Sequence, residues 1–135
     1  MRRDERRDPG YVEDIVEAAG KIKNYLHGIH RGTFDRNEML RDAVVRQLGI
    51  IGEAAACLSP TFKTAHPAQP WKDIVGLRQI VIHRYWRVNM NIIWAAAKKE
   101  VRALAAYLRK VQKKSPARLD AEIRDALAKR PKRHL

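Results

Sequence analysis

The stretch Met39–Leu58, MLRDAVVRQLGIIGEAAACL, decides the fold. Met39, Leu40, Val44, Leu48, Ile51, Ala55 and Leu58 recur at steps of three and four, which places them on one stripe of an α-helix and on no single face of a strand. Asp35, followed three residues later by Glu38, supplies an N-terminal capping pattern, and Ser59-Pro60 supplies the stop. Gly49 and Gly52 interrupt the pattern at a cost of about 1 kcal/mol each relative to alanine. Either a close helix contact or plain packing would account for them.

The same period governs the flanking sequence. After Asp8-Pro9, read as a helix start with proline in the first turn, Val12, Ile15, Ala19, Ile22, Leu26 and Ile29 share a stripe that runs to the Gly28–Gly32 stretch. Residues 59–70, with Pro60, Pro67 and Pro70, read as a proline-stiffened loop. A helix from Pro70-Trp71 to about His83 and a long helix from near Asn89 to Val111 follow, then a short helix after Ser115-Pro116 and a basic end. No period-2 alternation is sustained anywhere. The expected fold is all-α, an antiparallel bundle of four to five helices, with residues 1–112 as the helical-bundle domain and 113–135 as a basic C-terminal helix and tail.

At 135 residues the chain has the length of one domain with an ordinary core. Its 45% hydrophobic and 32% charged residues fit neither the disordered class nor the membrane class. The longest apolar run, Ile92–Ala97, is far short of the ~18 residues of a bilayer span. The mixed-charge start, Arg2–Asp8, has no apolar segment of a secretory leader behind it. A single cysteine, Cys57, closes no internal disulfide and is expected to be a buried, inert thiol among alanines. A cytoplasmic protein is expected. The net charge is +13, of which +9 falls in residues 98–135. Such a balance attracts polyanions with a steep salt dependence, although a solvated, solubilising tail has the same composition.

Glycine loops for nucleotides and the usual metal-ligand spacings are absent, so no metal or resident cofactor is expected. Of the five histidines, only His83 falls in an organised context, Trp71-Lys72-Asp73-Ile74-Val75-Gly76-Leu77-Arg78-Gln79-Ile80-Val81-Ile82-His83-Arg84-Tyr85. An arginine and a histidine among these aliphatic residues call for a polar pocket or a partner. Spacing alone is weak evidence: 17 arginines and five histidines in 135 residues produce about 0.6 such pairs by chance. On a regular helix Arg78 and His83 project about 140° apart, so convergence on one atom requires either a deformed helix or a second protomer across a two-fold axis. The dimer is the favoured route.

The Arg78-x4-His83-x-Tyr85 stretch resembles the signature of HEPN ribonucleases, specifically the HepT-like toxins of toxin–antitoxin pairs. The likeness extends through Arg41–Ala55, Leu58-Ser59-Pro60, His66-Pro67 and Pro70–Ile74, and covers roughly residues 10–112. It implies a HEPN-like bundle that forms a two-fold homodimer, with Arg78 and His83 as catalytic residues of a metal-independent endoribonuclease at the dimer cleft. In RNA the 2′-hydroxyl is the nucleophile, so the protein need only move protons and stabilise charge on the phosphorane. An imidazole suits the first task and a guanidinium the second.

The resemblance further implies a type VII-like system. In it, Tyr85 accepts AMP from a minimal nucleotidyltransferase antitoxin, so that ATP belongs to the partner and this chain carries no cofactor. Gln79, Lys72, Arg84 and Arg87 are candidate supporting or substrate-binding residues. Family members commonly have asparagine or another short polar residue after the arginine, whereas Gln79 reaches one methylene further. The alternative is a non-catalytic HEPN dimer that binds and regulates a nucleotidyltransferase.

Overall fold

Two long helices organise a computed structural model of the chain, which describes residues 3–83, 89–114 and 127–128. Helix α1 (Arg3–Tyr25) and helix α3 (Glu38–Cys57) make the most extensive contact in the fold. Ile15, Ile22 and Leu26 of the first chain segment meet Val44, Leu48, Ile51 and Ala55 of the second in a core closed to solvent. Between them, α2 (Arg31–Arg36) turns the chain after Gly28, whose φ of 70° suits a residue without a Cβ. The short helices α4 (Pro60–Ala65), α5 (Trp71–Gly76) and α6 (Arg78–His83) follow, with α5 and α6 packed on α3. Helix α7 (Met90–Ala95) continues through a π-helical turn, Ala96–Glu100, into α8 (Val101–Lys114), which lies along α1. All regular structure among the described residues is helical, and none of their helices is long and apolar enough to cross a membrane.

The contacts define direction. Ser59, just past α3, meets Asp8 near the start of α1, so the central pair is antiparallel. Gln112 near the end of α8 donates to Glu13, midway along α1, and ties the two helices together. The expected antiparallel, all-α bundle is therefore present.

Several local expectations are corrected. The first helix starts at Arg3, with Pro9 inside it, because Asp8 does not cap its own helix. Its buried carboxyl instead accepts from the Ser59 backbone N–H (2.8 Å) and from Ser59 Oγ (2.6 Å). Ser59 Oγ in turn accepts from the Phe62 N–H, and Pro60 occupies the first turn, so a helix forms where a loop was expected. Asn37, rather than Asp35, caps α3 by accepting from the Leu40 N–H. Asp35 is held by Arg31, which also donates to Asn91 across the fold. Met39 is 78% exposed and leaves the stripe, while Phe34 is fully buried against Trp94. Cys57 is exposed, contrary to the buried thiol expected of it. The segment from Trp71 to His83 is two helices, because the Leu77 amide bonds back to Ile74 and Val75 and tightens the chain there. The short helix and tail expected after Ser115 lie, except for residues 127–128, outside the described residues.

Asp8→Ala leaves two Ser59 donors without their buried partner. A loss of about 2–3 kcal/mol is expected in denaturant unfolding, with Asp8→Asn recovering part of it.

Candidate functional site

Arg78 is positioned by a glycine. A Cβ built on Gly52 would lie 2.4 Å from the Arg78 amide nitrogen and 3.1 Å from its Cα, so α3 and α6 meet backbone to backbone. One turn earlier, a Cβ on Gly49 would lie 2.7 Å from Val81 Cγ2. Residues 52 and 49 thus face residues 78 and 81, and α6 runs antiparallel to α3 along a groove cut by the two glycines. This is the close contact that the sequence left open for them. The cost of glycine within a helix is offset by apposition that any side chain would prevent.

The residue after Gly52 completes the arrangement. Glu53 Oε1 stands 3.9 Å from Arg78 Nη1, with both side chains partly open to water. They border an open cleft of about 750 Å³ between α1, α3 and α6. Asp14, Asp42 and Arg46 add charge to its wall, and Ile50, Val81 and Ile82 supply an apolar side. Ile82 is 65% exposed and Val81 45%. Cys57 also lines the cleft.

Of the residues predicted for the site, Arg78 is half-buried at the start of α6 and Gln79 is exposed beside it. His83 closes α6, and no helix break falls between it and Arg78. Lys72 is exposed on α5, across the Leu77 break, and makes no ion pair among the described residues. The side chain of His83, together with Arg84, Tyr85 and Arg87, lies outside the described residues.

The sequence pattern assigns no role to Glu53, Asp14, Asp42 or Arg46. Glu53 could have been marked only by its place directly after a glycine on the central helix. His83 is also not alone in an organised setting. His66 Nδ1 is 2.6 Å from the Tyr107 hydroxyl, its ring packs on Phe62 (4.5 Å), and its carbonyl accepts from Trp71 Nε1. That cluster ties the proline-rich segment to α8 and fixes where α5 begins. No group of three or more His, Cys, Asp or Glu among the described residues has the geometry to hold a metal ion.

A model of the ribonuclease HepT-like family matches residues 15–111, from α1 into α8, including both glycines and Arg78. The chain belongs to the HepT-like ribonuclease family. Its relatives include a candidate RNase of Methanocaldococcus jannaschii, 37% identical over 67% of this chain and 84% of the relative. A candidate RNase of Caldanaerobacter subterraneus is 36% identical over 77% of this chain and 93% of its own length. A protein of Thermococcus cleftensis named as a probable ribonuclease HepT is 33% identical over 76% and 94%. No solved structure matches the chain. In this chain the Gly52–Arg78 apposition offers a physical reason for glycine at that point of α3.

Gly52→Ala forces α6 away from α3 or is rejected. It is expected to cost about 1–3 kcal/mol, read by thermal or denaturant unfolding. Gly20→Ala, whose added Cβ would meet nothing within 4 Å, is expected to be harmless or mildly stabilising in the same measurement.

Proposed function

We propose that this HepT-like ribonuclease is the toxin of a toxin–antitoxin pair and cleaves RNA as a two-fold homodimer through Arg78 and His83. Family membership with Arg78 anchored on α3 beside an open cleft is the observation that carries this reading. In the proposed reaction His83 handles one of the two protons, taking that of the ribose 2′-hydroxyl or delivering one to the departing 5′-oxygen, and water exchanges the other. The 2′-oxygen forms the new bond to phosphorus as the bond to the 5′-oxygen breaks, leaving a 2′,3′-cyclic phosphate and a 5′-hydroxyl. Arg78 donates to the phosphate oxygens as negative charge accumulates on them, the geometry for which a planar guanidinium is suited. No metal is required for either role.

The dimer supplies what one helix does not. Six residues of regular α6 carry Arg78 and His83 on different faces. The exposed Ile82, Val81 and Ile50 beside Arg78 form an apolar surface on which a second copy would bring its own pair to a shared cleft. Silencing follows from the same placement: AMP transferred to Tyr85 by a nucleotidyltransferase antitoxin, with ATP as donor, adds bulk and negative charge two residues beyond His83. RNA phosphate is then repelled and occluded. Gln79, Lys72, Arg84 and Arg87 are proposed to assist substrate binding.

Expression of the chain alone is expected to arrest bacterial growth and degrade RNA. Arg78→Ala and His83→Ala should each lower cleavage about 10²- to 10⁴-fold. Equal tolerance of wild type and both variants would favour a non-catalytic dimer that regulates its nucleotidyltransferase. Ile82→Glu is expected to halve the mass seen in sedimentation and to remove activity with it.

A further inference from the structure

Helix α8 carries a charge pattern that its packing does not require. Val101, Leu104, Ala105 and Leu108 are buried on one side, while Arg102, Arg109, Lys110, Lys113 and Lys114 are all exposed on the other. Val101–Lys114 contains no acidic residue, and none of the five cations makes an ion pair among the described residues. Arg109 and Lys113, like Lys110 and Lys114, are like charges four residues apart, a spacing that destabilises a helix. The helix dipole accounts for Lys113 and Lys114 in the last turn, but not for Arg102 and Arg109 in earlier turns. Solubility is served by charges of mixed sign and does not call for a face of one sign.

The cleft beside Arg78 has the opposite character. Asp14, Asp42 and Glu53 outnumber Arg46 and Arg78 around it, so its described wall gives little net attraction to a polyphosphate. An RNase with such a cleft needs its affinity from elsewhere. The basic face is borne by the helix packed on α1, whereas Arg78 is borne by the helix packed on α3. No α8 residue lines the cleft, so the two are separate surfaces of one bundle.

We propose that the exposed face of α8 is an RNA-backbone binding surface, engaging phosphates of the substrate strand away from the scissile bond. Arg102 to Lys113 spans about 16.5 Å along the helix axis, enough for several successive phosphates. Contacts of this kind position a strand without reading bases and release counterions as they form. The proposal rests on the ribonuclease reading for the identity of the polyanion, but its test does not depend on cleavage.

The test replaces Arg102, Arg109, Lys110, Lys113 and Lys114 together by Gln in the full chain, with unchanged thermal unfolding as the control for folding. Binding of a labelled 2′-O-methyl single-stranded RNA, which lacks the nucleophile and is not cut, is followed against salt concentration. The slope of log K against log salt is expected to become shallower by up to about 3.5, near 0.7 for each phosphate that the protein no longer neutralises. With cleavable RNA, KM should rise about 10-fold or more while kcat stays within about 2-fold. Exchange of the same positions between Arg and Lys should restore binding. An unchanged slope and KM would overturn the proposal, as would loss of binding to phosphatidylglycerol vesicles with RNA binding intact. If the wild type binds the 2′-O-methyl RNA through α8 but leaves unmodified RNA uncut, the nuclease reading fails and the binding surface stands.

Discussion

The absence of a side chain at Gly52 lets α3 and α6 touch through their backbones, and the placement of Arg78 depends on that contact. A helix of six residues has no independent stability in water, since fixing its first turn costs more backbone entropy than its few hydrogen bonds return. It persists here because Ile80 and Leu77 are buried and because α3 offers a groove instead of a ridge. Arg78 sits at the first residue of that helix, directly opposite Gly52. A shift of α6 along α3 by one turn would carry either Val81 past Gly49 onto Val45 or Arg46, or the Arg78 backbone past Gly52 onto Ala55, so the register of the two helices is fixed sterically as well as by burial. Glu53 then follows from helical geometry: the residue after the contact point is near enough to face the guanidinium.

Charge is divided between the faces of the bundle in a way that composition alone does not disclose. The +13 of the whole chain suggests a uniformly basic surface. The described cleft wall is instead rich in carboxylates, and the unopposed cations collect on α8. A field arranged in this way draws a polyanion to the molecule as a whole while leaving Arg78 partly screened by Glu53. A phosphate that reaches Arg78 must compete with a carboxylate 3.9 Å away, which is a modest barrier because both groups keep contact with water.

Helices α1, α3 and α8 were legible in the sequence because burial imposes a 3.6-residue period that many residues report together. Caps and breaks were not, because each is decided by one contact. Asp35-x-x-Glu38 reads as the cap, yet Asn37 takes that role because Arg31 engages Asp35 and is itself held by Asn91 from α7. Asp8 reads as a local cap, yet its partner is Ser59, 51 residues away. Cys57 follows three alanines, but Ala55 is fully buried while the helix turns the thiol outward into the cleft. At the site, Arg78 and His83 could be singled out only through a resemblance extending along the chain, since their spacing recurs by chance. The acidic wall was invisible because Asp14, Asp42 and Glu53 come from two helices whose relative rotation the periodicity does not set.

The regularity of α6 bears on how the proposed chemistry would be assembled. A bulge or kink between Arg78 and His83 would let one protomer turn both groups toward one phosphate, but the segment is continuous helix, and the break lies before Arg78, at Leu77. Whatever brings a guanidinium and an imidazole to the same bond must therefore come from beyond this helix. Helix α3 cannot be that element, because at residues 49 and 52 it is already in van der Waals contact with α6. The open side of α6 is where Val81 and Ile82 are exposed, and burying two aliphatic side chains there would contribute about 1.5–3 kcal/mol for each that is fully covered. Among the surfaces that could meet this one, a second copy has the advantage that a two-fold axis pairs the patch with itself. Such a pairing would match Arg78 of one protomer with the far end of α6 in the other.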